Sequence, residues 1–322
     1  MNSFWNGYPH LQLELDEVTQ IIEKSVNDSH EFITNAVSDT IHSGGKMLRP
    51  AFVLLGSKFG DQSKNSNITC IAAIVEMLHI ATLIHDDIID EAKLRRGIES
   101  VQSKYGKDSA VFIGDYLFAK IFTLLSKDYH QETLVELSKV IMKICKGELI
   151  QYSLRYKYNS SIMHYLKIIT GKTASLFSIS LFIGAEETNA QEKVKRDLAK
   201  TGYRIGMAFQ IIDDCLDYSS NNIIKKSTMN DLKQGYLTLP VIYALQNDHN
   251  GYLENLLKNC TFNKSETERI HALIVENNGL QKSRELALKY TNKAYDSLNK
   301  LPDCESKETL KYIVEKLLIR EY

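Results

Sequence analysis

Ile71-Ala72-Ala73-Ile74-Val75-Glu76-Met77-Leu78-His79-Ile80-Ala81-Thr82-Leu83-Ile84-His85-Asp86-Asp87-Ile88-Ile89-Asp90 is an apolar run, interrupted at Glu76 and His79, that ends in three aspartates. It reads as a buried helix whose end carries function, because its length and composition suit a core helix while its last turn does not. Residues four apart on a helix share a face, so Asp86 lies beneath Asp90. The same pattern returns in Gln210-Ile211-Ile212-Asp213-Asp214-Cys215-Leu216-Asp217, where Asp213 lies beneath Asp217. Like charges at this spacing repel, and carboxylates near a helix C-terminus oppose its macrodipole. A chain that accepts the penalty twice is expected to supply cations to these oxygens. Mg²⁺, a hard ion held by one or two carboxylates plus substrate phosphates, is the natural candidate.

Outward from these two segments the chain reads as all-α. Its four prolines fall at 9, 50, 240 and 302, leaving long stretches free of helix breakers. Apolar residues recur at spacings of three and four, as in Leu134, Leu137, Val140, Ile141 and Ile144, and no strand-like alternation with hairpin turns stands out. The spacing predicts helices over 11–27, 30–43, 49–59, 66–92, 108–126, 130–156, 160–184, 190–219, 236–247, 265–278, 280–299 and 305–319. Residues 1–8 are expected to be loosely ordered, and 60–65 and 220–229 to be loops. No composition shift marks a linker, so residues 1–322 read as one domain.

The 322 residues carry a net charge of −1, which gives no general attraction to nucleic acid. The five cysteines are scattered, odd in number and without CxxC spacing, as expected of reduced thiols in a cytoplasmic protein. The N-terminus lacks the basic and apolar regions of a secretory signal. No stretch reaches the roughly 18 apolar residues of a membrane-spanning helix.

Basic motifs accompany the carboxylates. In Gly44-Gly45-Lys46-Met47-Leu48-Arg49-Pro50 the glycines end one helix and proline opens the next; the same backbone can also place Lys46 and Arg49 around an anion. Lys93-Leu94-Arg95-Arg96-Gly97 follows the first aspartates, as surface ion pairs or as receivers of phosphate oxygens. Thr170-Gly171-Lys172-Thr173 resembles the end of a phosphate-binding loop, yet residue 166 is leucine, so the full motif is absent. Gln210 shares a helix face with Asp213, and His79 lies two turns before Asp86.

Taken in order, Gly44-Gly45-Lys46, Arg49-Pro50, His79, Asp86-Asp87-x-x-Asp90, Arg95-Arg96-Gly97, Gly147-Glu148…Gln151, Lys172-Thr173, Phe209-Gln210-x-x-Asp213-Asp214-x-x-Asp217 and Asp231-Leu232…Gly235…Thr238-Leu239-Pro240 resemble the trans-isoprenyl diphosphate synthases over the chain beyond about residue 15. Within that family the pattern is most similar to the catalytic subunit of bacterial hexaprenyl and heptaprenyl diphosphate synthases. The resemblance implies a single bundle of antiparallel helices around a deep central cavity. It implies Mg²⁺-dependent head-to-tail condensation of an allylic diphosphate with isopentenyl diphosphate, with about three ions per site. Asp86, Asp90 and Asp213 are then the metal ligands, with Asp87 and Asp217 acting through hydrogen bonds and metal-bound water, and Asp214 completing the second motif. Arg95, Lys172, Thr173, Gln210 and Lys226 are expected on the allylic diphosphate, and Lys46, Arg49, His79 and Arg96 on isopentenyl diphosphate. Three positions depart from the family pattern: Met47 and Tyr236 stand where many relatives carry basic residues, and Lys225 replaces a common glycine. A homodimer, or a heterodimer with a small regulatory subunit, is the implied assembly, and quinone side chains the implied use. The alternatives are a short-chain C15/C20 synthase, a class I terpene cyclase and a non-catalytic partner subunit.

Ala81 and Thr82, five and four residues before Asp86, lie about 6–8 Å below it along the helix. Both are small, where short-chain relatives commonly carry aromatic rings, so the expected product is about C30–C40. Ala81→Phe should shorten the product, measured by chromatography of the dephosphorylated prenols; an unchanged distribution would defeat the floor assignment.

Overall fold

In the computed structural model, residues 3–27, 29–126, 129–218 and 229–318 are described. The chain forms two compact units, Met1–Glu136 with Ser180–Arg196, and Leu137–Ile179 with Asp197–Tyr322.

The first unit is organised by α4 (Ile68–Ile89). This helix is apolar nearly all round and buries twelve residues, the composition of a core helix rather than an amphipathic surface one. Around it pack α1 (Pro9–Val26), α3 (Leu48–Ser57) and α6 (Lys107–Leu125). The α1 helix turns Leu11, Leu15, Val18, Ile22 and Val26 inward at helical spacing. On α6, Gly114 makes room for the His85 ring, since a Cβ there would sit 2.2 Å from His85 Nε2. Shorter helices α2 (Glu31–His42) and α5 (Val101–Tyr105) complete this part.

Between α4 and α5 lies a hairpin absent from the sequence reading: β1 (Leu94–Arg95) pairs antiparallel with β2 (Ile98–Glu99). Its turn residues Arg96 and Gly97 both have positive φ, 50° and 85°, the pattern of a tight type I′ turn. Two residues per strand are too few for an alternation to show in sequence.

The second unit holds most of α7 (Gln131–Ser153), then α8 (Ile162–Ile169), a π-helical turn at Thr170–Ala174 and the start of α9 (Ser175–Glu187). It continues with most of α10 (Glu192–Leu216), α11 (Asn230–Lys233), α12 (Leu239–Gln246), α13 (Tyr252–Asn259), α14 (Lys264–Glu276), α15 (Gly279–Leu298) and α16 (Glu305–Leu318). The α12 helix packs on α14 and α15. The α13 helix was not expected from the sequence; only Leu253 and Leu257 are buried, too few to raise a pattern. The expected helix over 236–247 starts later, at Leu239, with Thr238 at its N-cap.

Two helical stretches, Ile68–Ile89 and Ile162–Glu187, are long and apolar enough to cross a membrane by length and composition, although charged residues interrupt both. Their apolar windows are 61% and 72% buried within the protein, as in core helices.

Residues 3–8 are not loose, which corrects the expectation for 1–8. Ser3–Trp5 forms a 3₁₀ turn, Phe4 and Trp5 are buried, and Trp5 Nε1 donates to the Lys46 carbonyl at 2.7 Å. A buried indole with its N–H satisfied is a strong anchor. Trp5→Ala should lower unfolding free energy by about 3–5 kcal/mol in urea titrations, as for other buried aromatic truncations.

Candidate active site

In the first unit, the three aspartates at the C-terminal end of α4 meet different environments. Asp87 is buried and accepts two hydrogen bonds from Arg95, Nε to Oδ2 at 2.7 Å and Nη2 to Oδ1 at 2.6 Å. Asp86 and Asp90 are half-buried and one turn apart, the Asp90 N–H donating to the Asp86 carbonyl at 2.8 Å. Burial lowers the pKa of the Arg95 guanidinium, and the bond to Asp87 with the charges of Asp87, Asp86 and Asp90 more than reverses it. The β-hairpin thus delivers Arg95 into the first aspartate cluster, as expected, but ties it to Asp87.

The four residues expected on isopentenyl diphosphate are linked through two contacts and the backbone between them. Arg49 Nη1 lies 3.1 Å from His79 Nε2, so the ring nitrogen accepts and the imidazole is neutral. Burial, then Arg49, Arg96 and Arg95, push His79 well below its usual range. Burial also lowers Arg49 to about 10, with Glu76 opposing and Arg96 assisting. The Arg96 guanidinium lies against Gly45, where a Cβ would come within 2.5 Å of Nη1. Gly44 and Gly45 have φ of 96° and 141°, and Met47, at the N-cap of α3, has φ of 48°. Met47 therefore serves a left-handed turn in the loop. Lys46 has its carbonyl held by Trp5 and its ammonium 5.4 Å from the Phe4 ring.

Glu76, missed as a site residue, interacts with both Arg49 and Arg96; burial raises its pKa and the two guanidiniums oppose that. Its signal in the sequence was a carboxylate inside an apolar run, three residues before His79 and so on its face.

In the second unit, the triplet at the end of α10 repeats the division. Asp214 is buried and accepts from Tyr165 Oη at 2.6 Å and Gln210 Nε2 at 2.8 Å, while Asp213 is exposed and Asp217 half-buried. Gln210 Oε1 in turn accepts from Thr173 Oγ1 at 2.7 Å. The inward hydrogen-bonded member of this triplet is thus Asp214. Burial, with Asp231 and Asp213 contributing repulsion, raises Asp214 to about 8 against its two donors, and Asp217 to about 6. Carboxylates raised by burial and mutual repulsion in this way mark a candidate functional site.

Lys172 enters through the π-turn, a distortion frequent at functional sites. Gly171 packs on Gly147 of α7, a Cβ on Gly171 falling 2.5 Å from the Lys143 carbonyl. That close approach sets Lys172 Nζ 3.1 Å from Glu148 Oε1 and 3.4 Å from Gln151 Oε1. Asp231 is raised by burial and lowered by Lys172. Lys225 and Lys226 lie outside the described residues. Tyr165 and Asp231 carried no role in the sequence reading; nothing in their neighbours signals a contact 49 residues away.

Ala81 is completely buried, and Thr82 Oγ1 donates to the His79 carbonyl at 2.8 Å. Among the described residues no group of three or more His, Cys, Asp and Glu side chains is arranged to hold a metal ion.

An all-α chain with two such aspartate triplets, Arg95 held by the first and Lys172 acting on Asp231 near the second, has the construction of a class of diphosphate-handling enzymes. The chain belongs to the polyprenyl synthetase family, whose model matches residues 30–276, and it is a prenyltransferase. It is 34% identical to heptaprenyl diphosphate synthase component 2 of Bacillus subtilis over 99% of this chain and 91% of that one. Its fold matches geranylgeranyl pyrophosphate synthase of Lactobacillus brevis with TM-score 0.92 and 30% identity, covering 99% of both chains. It also matches a polyprenyl synthase of Caulobacter crescentus, solved with calcium and isoprenyl diphosphate, with TM-score 0.87 and 29% identity over 96% of this chain and 95% of that one.

Asp87→Asn should destabilise the protein by about 2–3 kcal/mol in urea titrations, somewhat below a fully buried ion pair because Arg95 keeps some solvent contact.

Proposed function

We propose that this prenyltransferase condenses an allylic diphosphate with isopentenyl diphosphate, head to tail, and extends the product to about C30–C40. The observation that carries the reading is the shared construction of the two triplets. In each, one aspartate is buried and hydrogen-bonded, and its neighbours keep more of their surface for other ligands.

Asp86 and Asp90 of the first unit and Asp213 of the second are the residues we assign to Mg²⁺. The donor set fits: it is oxygen only, as suits a hard ion that takes few protein ligands and the rest from phosphate and water. When bound, the metal neutralises charge on the departing diphosphate. Arg95, Lys172, Thr173, Gln210 and Lys226 are assigned to the allylic diphosphate. Their fixed donors and charges favour the charge that grows on it as its bond to carbon breaks. Asp87 and Asp214 act as positioning residues, orienting Arg95 and Gln210.

Lys46, Arg49 and Arg96 bind the isopentenyl diphosphate, and neutral His79 donates no competing charge. Apolar residues of α4 below Asp86 exclude water from the allylic cation, which water would otherwise capture. The isopentenyl double bond attacks that cation, and the proton then lost goes to the departing diphosphate. Ala81 and Thr82 form the floor, and their small size supports the longer product. The B. subtilis relative, named for a C35 product, supports it too.

Exposed Val111, Phe112 and Phe122 on α6, and Met142 and Leu149 on α7, support an oligomer. We assign these faces to a second copy of the chain, with a small regulatory subunit as the alternative; light scattering of the purified chain separates the two. Five free cysteines suit a cytoplasmic setting.

The test is incorporation of labelled isopentenyl diphosphate onto C10, C15 and C20 primers with Mg²⁺ and with chelator. Expected are metal-dependent products beyond C20. No incorporation, alone or with a partner subunit, overturns the reading, and a hydrocarbon from farnesyl diphosphate alone would indicate a cyclase.

A further inference from the structure

We propose that Arg155 is a further anion-binding residue of the second unit and takes the diphosphate of the allylic substrate, an inference that rests on the function proposed above. Arg155 follows α7, the helix that supplies Gly147, Glu148 and Gln151. Its guanidinium carbon lies 5.2 Å from the ring centre of Tyr156 and 5.4 Å from that of Tyr236. Its Nε donates to the Gln234 carbonyl. The terminal nitrogens, Nη1 and Nη2, make no hydrogen bond to any described residue. Cation–π contacts stabilise the charge without consuming N–H donors, so the terminal fork stays available for phosphate oxygens.

The surroundings hold this arrangement firmly. Tyr156 adopts a φ of 59°, uncommon for an aromatic residue, and its N–H donates to the Gly235 carbonyl at 2.8 Å. Gly235 has φ of 86°, and a Cβ there would strike the Tyr156 ring at 2.5 Å. Two left-handed turns, 155–156 and 234–236, are thus clasped face to face. Backbone in sparsely populated conformations persists where the surroundings over-determine it, and such residues cluster at ligand clamps.

The clasp continues into the acidic cluster. The Tyr236 N–H donates to the Asp231 carbonyl at 2.8 Å, and the Asp231 carboxylate interacts with Lys172, Asp214 and Asp217. Tyr236 is buried, and the positive charge over its ring is that of Arg155. Arg155 thus reaches the acidic cluster through Tyr236, whose ring it faces and whose N–H is held by Asp231, and a guanidinium fork has the chemistry for a diphosphate.

The test compares KM for the allylic diphosphate with KM for isopentenyl diphosphate in Arg155→Gln, Arg155→Lys and Arg155→Gln/Tyr236→Lys. Arg155→Met, which keeps an apolar stem against the rings, is a second neutral variant in case the glutamine variant does not fold. Loss of a charged hydrogen bond predicts a rise of roughly tenfold or more in allylic KM for the neutral variants, with isopentenyl KM within about twofold of wild type. Arg155→Lys should stay near wild type. The double variant should recover, because a lysine at 236 returns a cation to the same place. Unchanged allylic KM in the neutral variants overturns the proposal. So does a parallel rise in both KM values with no recovery in the double variant, the behaviour of a clasp that is only structural. An inactive wild-type enzyme would instead overturn the function on which the inference rests.

Discussion

Neighbouring carboxylates at the end of an apolar helix cannot all be treated alike. Left together they repel, and buried together they cannot all stay ionised. This protein meets the constraint twice by giving one aspartate of each triplet an inward partner. Asp87 receives the Arg95 fork and Asp214 receives Tyr165 and Gln210. The two solutions differ in charge. Asp87 has a full cation against it, whereas Asp214 has only neutral donors and is lifted to about 8. Much else depends on these anchors: the hairpin that carries Arg95, the π-turn that brings Thr173 to Gln210, and the orientation of the outward carboxylates.

The basic cluster faces the opposite constraint. Arg49, Arg95, Arg96 and His79 lie close enough for each cation to disfavour protonation of the imidazole. Glu76 offsets part of this repulsion, and neutral His79 removes one charge from the group. Crowding of this kind is a cost that any anion bound among these groups would offset. Trp5 and the glycines set the loop that closes the cluster, which ties the first residues of the chain to its chemistry.

Most of the helices were legible because proline placement and apolar spacing are local properties. The elements that escaped were the short ones. The hairpin has two residues per strand, α13 buries two leucines, and residues 3–8 gain order from a hydrogen bond to Lys46, 41 positions away. The π-turn escaped as well, since nothing in Thr-Gly-Lys-Thr distinguishes one extra residue per turn from an ordinary helix. Its cause is the approach of Gly171 to Gly147, which is a matter of packing.

By itself the sequence determined the residue types and their spacing: two aspartate triplets at helix ends, basic motifs in a set order, and an apolar helix beneath the first triplet. Those features suffice for the class of chemistry, because hard cations need oxygen ligands and diphosphates need fixed positive charge. Only the tertiary structure decided which aspartate turns inward and what meets it there. Asp86 and Asp87 are chemically identical neighbours separated by one helical step. Their difference arises from the hairpin that brings Arg95 against one of them, just as the difference between Asp213 and Asp214 arises from Tyr165 on another helix.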